Sequence, residues 1–203
     1  LSIPFKARDY QLRAVYQALK YNRRLLLSPT GSGKSLIIYS IVRWHLHFDR
    51  EILIIVPTVS LVEQLYKDFK EYGWNPRGYC HRISAGAEKF TEKPVVISTW
   101  QSIYKEPRKF FKKFDVVIGD EAHLYKAKSL SGILTKCHDA KHRVGLTGTL
   151  DGMQTHQLVL EGLFGKCDRV TQTVDLMKKG HLAPLYVKLS LIHISEPTRP
   201  SRI

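Results

Sequence analysis

Two short segments of the chain hold residue types and spacings suited to phosphate chemistry. The first, Ser28-Pro29-Thr30-Gly31-Ser32-Gly33-Lys34-Ser35, follows an apolar run and opens a helical pattern. Glycines at that spacing let the backbone curl so that successive N–H groups face inward and cradle phosphate oxygens. The start of the helix adds a favourable partial positive charge. Lys34 is long enough to reach the outer phosphates of a nucleoside triphosphate, and the Ser35 hydroxyl can join the shell of a Mg²⁺ ion. The position usually held by the first glycine of such a loop is Ser28, and a small residue fits there. The second segment, Phe114-Asp-Val-Val-Ile-Gly-Asp-Glu-Ala-His123, is an apolar run that ends in two carboxylates. Beside a bound triphosphate, Asp120 would hold Mg²⁺ directly or through water, and Glu121 would orient and deprotonate the attacking water. A carboxylate pair after a strand is more often a helix cap. The phosphate loop upstream is what favours catalysis, because phosphoryl transfer needs positioning and charge neutralisation more than covalent help.

These segments need a scaffold that brings them together. Five apolar runs, at residues 25–28, 52–56, 95–98, 116–119 and 144–146, do not alternate with polar residues. Continuous runs of this length suit strands covered on both faces, as in a parallel sheet. Helical patterns separate them. Leu12, Val15, Tyr16 and Leu19 share one face of a helix, as do Leu61, Leu65, Tyr66, Phe69 and Tyr72, with Thr58 or Ser60 as the cap. Residues 129–137 and 156–164 also read as helices. Strands alternating with helices predict a doubly wound α/β sheet, whose ligands sit at the carboxyl ends of the strands. That is where the phosphate loop and the acidic pair both fall.

Composition narrows the class. The 203 residues are 43% hydrophobic and 25% charged, values of a folded chain rather than a disordered one. The formal net charge is +14, a surplus that suggests a polyanionic partner, nucleic acid first; a solvated basic surface is the plainer reading. No run approaches the roughly 18 apolar residues of a membrane helix, and no signal peptide opens the chain. Cys80, Cys137 and Cys167 are odd in number and far apart, so neither a disulfide framework nor a zinc site is indicated. The expectation is a cytoplasmic protein, in the host cytoplasm if a phage encodes it. The first residue is Leu1, which predicts a preceding segment. Residues 189–203 resemble the translation of a sequencing adapter and are expected not to be natural protein; the basic surplus survives their removal, which takes away Glu196, Arg199 and Arg202. The natural domain is expected to span 1–188.

Taken together, SPTGSGKS, then DEAH at 120–123, then Thr147-Gly148-Thr149 resemble the first motor domain of the DEAH/DExH helicases of superfamily two. ILIIVPT, PVVISTWQS and GLFGK are most similar to the UvsW-type helicases of tailed phages. The resemblance covers about residues 4–188. It implies a RecA-like P-loop NTPase sheet with helices on both faces, ATP and Mg²⁺ as cofactors, and single-stranded or branched DNA as partner, with RNA an alternative. Carried over residue by residue, Phe5, Arg8 and Gln11 would read the adenine. Pro29, Thr30, Gly31, Ser32, Gly33, Lys34 and Ser35 would hold the phosphates and metal. Asp120 and Glu121 would serve magnesium and hydrolysis. His123 would link the nucleotide state to Thr147–Thr149, which couples hydrolysis to strand movement. Pro57 and Thr58, with Ser98, Thr99, Gln101 and Ser102, would touch nucleic acid. The family motor has a second such domain that completes the ATP cleft; nothing after residue 150 resembles it, so slow turnover is expected of this chain alone.

Several alternatives stand beside this reading. Thr58 can cap a helix as well as bind a phosphate. The run YKEPRKFFKK at 104–113 interleaves basic and aromatic residues as single-strand grooves do, yet a solvated helix face with Phe110, Phe111 and Phe114 turned to the core explains it equally. Trp44 is expected to pack, and His45, His47, His138, His142 and His156 to lie on the surface. For the function as a whole, an ATP- and nucleic-acid-binding module with negligible turnover and the motor subunit of a restriction enzyme remain alternatives. A small-molecule kinase is disfavoured by DEAH, TGT and FKARDYQ.

Overall fold

The structure is a computed structural model that describes residues 4, 6–84, 88–124, 127–149 and 154–183. Phe5 and the adapter-like segment 189–203 lie outside the described residues. Seven strands, β1 (Arg23–Leu27), β2 (Ile52–Val56), β3 (Cys80–Ile83), β4 (Val95–Thr99), β5 (Val116–Gly119), β6 (His142–Thr147) and β7 (Cys167–Arg169), form one sheet in the order β3-β4-β2-β5-β6-β1-β7. Every pairing between them is parallel. The helices are α1 (Asp9–Lys20), α2 (Lys34–Leu46), α3 (Val59–Glu71), α4 (Trp100–Ile103), α5 (Arg108–Phe111), α6 (Ala127–Lys136), α7 (Gln154–Phe164) and α8 (Thr173–Lys178). The expected doubly wound sheet is therefore present. Its five apolar runs are the five interior strands, and β3 and β7, which were not expected, are the two edges.

Alternation along the strands sorts the core into two layers. Leu26, Ile52, Ile54, Val56, Ile97 and Val144 face a cluster built with α1, α2 and α3. Leu25, Leu53, Ile55, Val96 and Val117 face a second cluster that includes Phe111, Phe114 and Phe164. Each strand is thus apolar on both sides, which is why its sequence reads as a continuous run. The Phe164 ring reaches the sheet where β5 and β6 carry glycine. A Cβ at Gly119 would stand 2.9 Å from Phe164 Cζ, and one at Gly145 would stand 2.8 Å from the ring. Those glycines allow α7 to close over the sheet.

The amino ends of the strands carry a polar cluster. Arg50 lies 2.9 Å from His45 Nδ1 and 3.0 Å from His142 Nε2. His45, on α2, is only 1% exposed, and burial, helped by His142 and Arg50, pushes its pKa down to about 3. Burial lowers His142 as well. Both imidazoles are therefore neutral acceptors for one guanidinium. This corrects the expectation that His45 is a surface residue, while His142 is half-buried and shares the Arg50 guanidinium with it. Trp44, expected to pack, is 47% exposed and rests against Phe48, because α2 turns that position outward. No helix of the described residues is long and apolar enough to cross a membrane.

Candidate nucleotide site

The register aligns the carboxyl ends of the strands, pairing Leu27 with Thr147, Ile55 with Gly119 and Val56 with Thr99. The residues that follow these positions are the ones the sequence singles out. Ser28 N–H donates to the Thr147 carbonyl at 2.8 Å, and Asp120 N–H to the Ile55 carbonyl at 2.9 Å. The phosphate loop and the acidic pair therefore begin on one edge of the sheet.

The loop is braced from within and from α1. Ser28 and Ser32 join hydroxyls at 2.6 Å, and Ser32 Oγ donates to the Pro29 carbonyl at 2.6 Å. With Ser32 donating there, Ser28 donates to Ser32, so the serine at the loop's first position closes it. Tyr10 and Gln11 both donate to the Ser32 carbonyl, at 3.1 and 2.9 Å. Gln11 Oε1 accepts from Arg8 N–H at 2.9 Å. Gln11, expected to read a base, thus fastens the loop to the start of α1. Gly31 and Gly33 take φ of +79° and +80°, where side chains are strained. A Cβ at Gly33 would also collide with the Gln11 amide, and one at Gly31 with Leu182. Arg8 bonds Tyr10 at 2.8 Å and lines a neighbouring cavity of about 570 Å³.

Lys34 Nζ reaches Glu121 Oε1 at 2.9 Å and the Ser28 carbonyl at 3.3 Å. A cavity of about 380 Å³ is lined by Thr30, Lys34, Ser35, Asp120 and Glu121 together. Asp120 is 9% exposed. Burial first and the neighbouring Glu121 second push its pKa up to about 6, against the pull of Lys34. Glu121 has φ +48°, a left-handed backbone for a residue with a side chain, of a kind that costs about 1–3 kcal/mol and clusters at functional sites. Its Oε2 lies 3.4 Å from Gly148 N and 3.5 Å from His123 Nδ1. His123 Nδ1 meets Thr147 Oγ1 at 2.7 Å, and Thr147 Oγ1 donates to the Thr149 carbonyl at 2.7 Å. The threonine proton is thereby committed, so His123 is the donor from Nδ1. Glu121, His123 and the 147–149 segment form one connected chain of contacts.

The donors here fit Mg²⁺. Ser35 and Asp120 supply hard oxygen atoms on one wall of the cavity, and an ion held mostly by substrate phosphates and water needs no more from the protein. The sequence reading missed one wall. Gln64 and Asp68, both on α3, line the same cavity, and Tyr72, the residue after α3, places its hydroxyl 2.6 Å from Ser35 Oγ. These three lie at i, i+4 and i+8; in sequence Gln64 and Asp68 look like a solvent face, and Tyr72 belongs to the apolar face of the helix. Burial raises the Asp68 carboxyl, with a hydrogen bond to Ser35 opposing it.

The expected nucleic-acid residues divide. Thr58 is exposed and caps α3, its Oγ1 accepting from Leu61 N–H at 3.3 Å. Gln101 donates to the Pro57 carbonyl at 3.4 Å, and Thr99 and Ser102 join hydroxyls at 2.8 Å. The loops after β2 and β4 therefore touch. Ser98 is fully enclosed, its hydroxyl given to the Thr99 carbonyl. The 104–113 run crosses from this edge to the opposite one. Lys113 bonds the Thr91 carbonyl at 2.9 Å and lies 3.6 Å from Glu51, at the amino ends of the strands. Phe111 and Phe114 are in the core. The structure thus favours the plain reading of that run.

Residues 4–152 match the family described as type III restriction enzyme, res subunit. The chain is 34% identical over 193 residues to the ATP-dependent DNA helicase uvsW of Enterobacteria phage T4, covering 93% of this chain and 38% of that protein. It is 31% identical over 156 residues to the DNA 3'-5' translocase XPB2 of Sulfurisphaera tokodaii, covering 73% of this chain and 33% of that one. The crystal structure of the UvsW helicase from bacteriophage T4 superposes with a TM-score of 0.74 at 35% identity, over 81% of this chain and 60% of the other. The chain spans well under half the length of these curated relatives.

Proposed function

Because the chain belongs to the type III restriction enzyme res-subunit family and is the first motor domain of a superfamily-two helicase, we propose that it binds ATP with Mg²⁺ and couples its hydrolysis to movement on DNA. One observation carries the reading: Lys34 and Glu121, distant in sequence, meet at 2.9 Å on the cavity that also holds Ser35 and Asp120. Ser35 and Asp120 would hold Mg²⁺, whose charge would offset the negative charge that develops in phosphoryl transfer. The loop N–H groups would hold the phosphates, and Lys34 would exchange Glu121 for them. Glu121, released, would orient water and take its proton. His123 would carry the change to Thr147 and Thr149. Phe5 and Arg8 are candidates for the base. Thr58, Thr99, Gln101 and Ser102 would form a track for single-stranded or branched DNA, with RNA the alternative. The place of work is the cytoplasm, of the host if a phage encodes the chain. The family motor completes its ATP cleft with a second such domain, and turnover in the absence of one is expected to be slow. The family match also supports a second reading, the motor of a restriction enzyme.

The test measures binding of a fluorescent ATP analogue and ATP turnover, with and without single-stranded or branched DNA. Lys34→Ala should abolish analogue binding. Binding by that variant equal to the unaltered chain would overturn the assignment.

A further inference from the structure

The Ser35 hydroxyl is the group of the phosphate loop that would meet Mg²⁺. In the structure it lies 2.6 Å from the Tyr72 hydroxyl, and it also hydrogen-bonds Asp68. A serine oxygen has two lone pairs and one proton. When Ser35 gives its proton to Asp68, the Tyr72 phenol is the donor of their shared hydrogen bond and takes one serine lone pair. Tyr72 is held for this task. Its ring packs edge-on against Tyr39 of α2 at 5.3 Å, and Tyr39 also contacts Phe69 at 5.6 Å and Trp74 at 6.1 Å. Tyr39 and Phe69 are fully buried, so the aromatic cluster fixes where the phenol oxygen stands.

We propose that Tyr72 is a positioning residue that competes with Mg²⁺ for the Ser35 hydroxyl, so that metal-dependent nucleotide binding must draw Ser35 away from the carboxyl end of α3. The inference rests on the functional reading above, since it takes Ser35 as a metal-facing group. The helix it engages begins at Thr58, beside the loop after β4. One rigid rod therefore touches the metal-facing serine at one end and the candidate nucleic-acid edge at the other. A shift of α3 at its Thr58 end would change how firmly Tyr72 holds Ser35.

The experiment titrates Mg²⁺ against binding of a fluorescent ATP analogue at fixed analogue concentration. Tyr72→Phe removes one oxygen and keeps the ring. It should lower the Mg²⁺ concentration for half-maximal binding by about threefold to tenfold, the equilibrium weight of one hydrogen bond. In a Ser35→Ala background the same substitution should do nothing, a result that a merely structural role for the phenol would not give. An unchanged or raised Mg²⁺ requirement in Tyr72→Phe would overturn the proposal, as would an equal effect in both backgrounds. Lys34→Ala, run alongside, separates the two failures. If it still binds the analogue, the functional reading has failed; if it does not and Tyr72→Phe is silent, only the competition has.

Discussion

The two ends of the strands carry similar charged groups and use them in opposite ways. At the amino ends of the strands, Arg50 sits between a buried His45 and a half-buried His142. At the carboxyl edge, Lys34 and Glu121 pair at 2.9 Å on the wall of a cavity, beside a carboxyl kept protonatable to about 6. The first joins its members directly, one guanidinium nitrogen to two imidazoles. The second leaves its members facing space, with Glu121 held in a strained backbone. The same strands thus run from a fastened end to a reactive one: Arg50 is taken up by two imidazoles, whereas Lys34, Asp120 and Glu121 line a cavity.

That contrast can be broken most sharply by Glu121→Gln. Turnover should fall by about 10²–10⁴-fold, the usual weight of a general base, while analogue binding persists and the denaturation midpoint stays near that of the unaltered chain. A loss of stability matching the loss of rate would make the carboxyl edge structural too. Next in size, Arg50→Ala should lower stability by about 1–3 kcal/mol, since it leaves buried imidazole nitrogens without a donor, and should leave analogue binding intact; urea melts and binding read together decide this. The same edge predicts a pH response. His45 has its folded pKa lowered from 6.5 to about 3, so the stability it contributes is full above about 6.5 and is lost as pH falls towards 3. Asp120 acts in the opposite sense, because its folded pKa is raised to about 6 and its burden on the fold is relieved below that pH. The melting temperature of the unaltered chain should fall between pH 7 and pH 5, and less so in His45→Gln. The smallest effect belongs to Lys112→Glu with Lys113→Glu. Their end of the 104–113 run lies at the amino edge, so the salt dependence of DNA binding should hardly change. A clearly flatter slope would extend the track across the molecule.

Sequence alone made the interior of this protein readable and its margins not. Strands covered on both faces must be apolar throughout, so 52–56 or 116–119 stand out against everything around them. The edge strands CHRI and CDR have one side open to water and look like loop. The phosphate loop and the DEAH segment were legible because their chemistry demands rare residue types in a fixed order. Asp68 was not, because a polar residue on a helix reads as solvated until a cavity is found beneath it, and Tyr72 read only as part of the apolar face, with nothing to announce its hydroxyl's contact with Ser35. His45 and His142 stand nearly a hundred residues apart, and no spacing rule joins them; the Arg50 side chain does.

Among the described residues, strand β1 pairs with β6 and β7, more than a hundred residues later in the chain. While the polypeptide leaves the ribosome, β2, β4 and β5 can zip together as they emerge, but β1 must wait as an unpaired ribbon until Thr147 arrives. The phosphate loop hangs from that strand and is anchored to that threonine. The proposed nucleotide site would therefore be assembled only after β6 emerges, and a nascent chain stalled before β6 would have four paired strands and a phosphate loop without its Thr147 anchor.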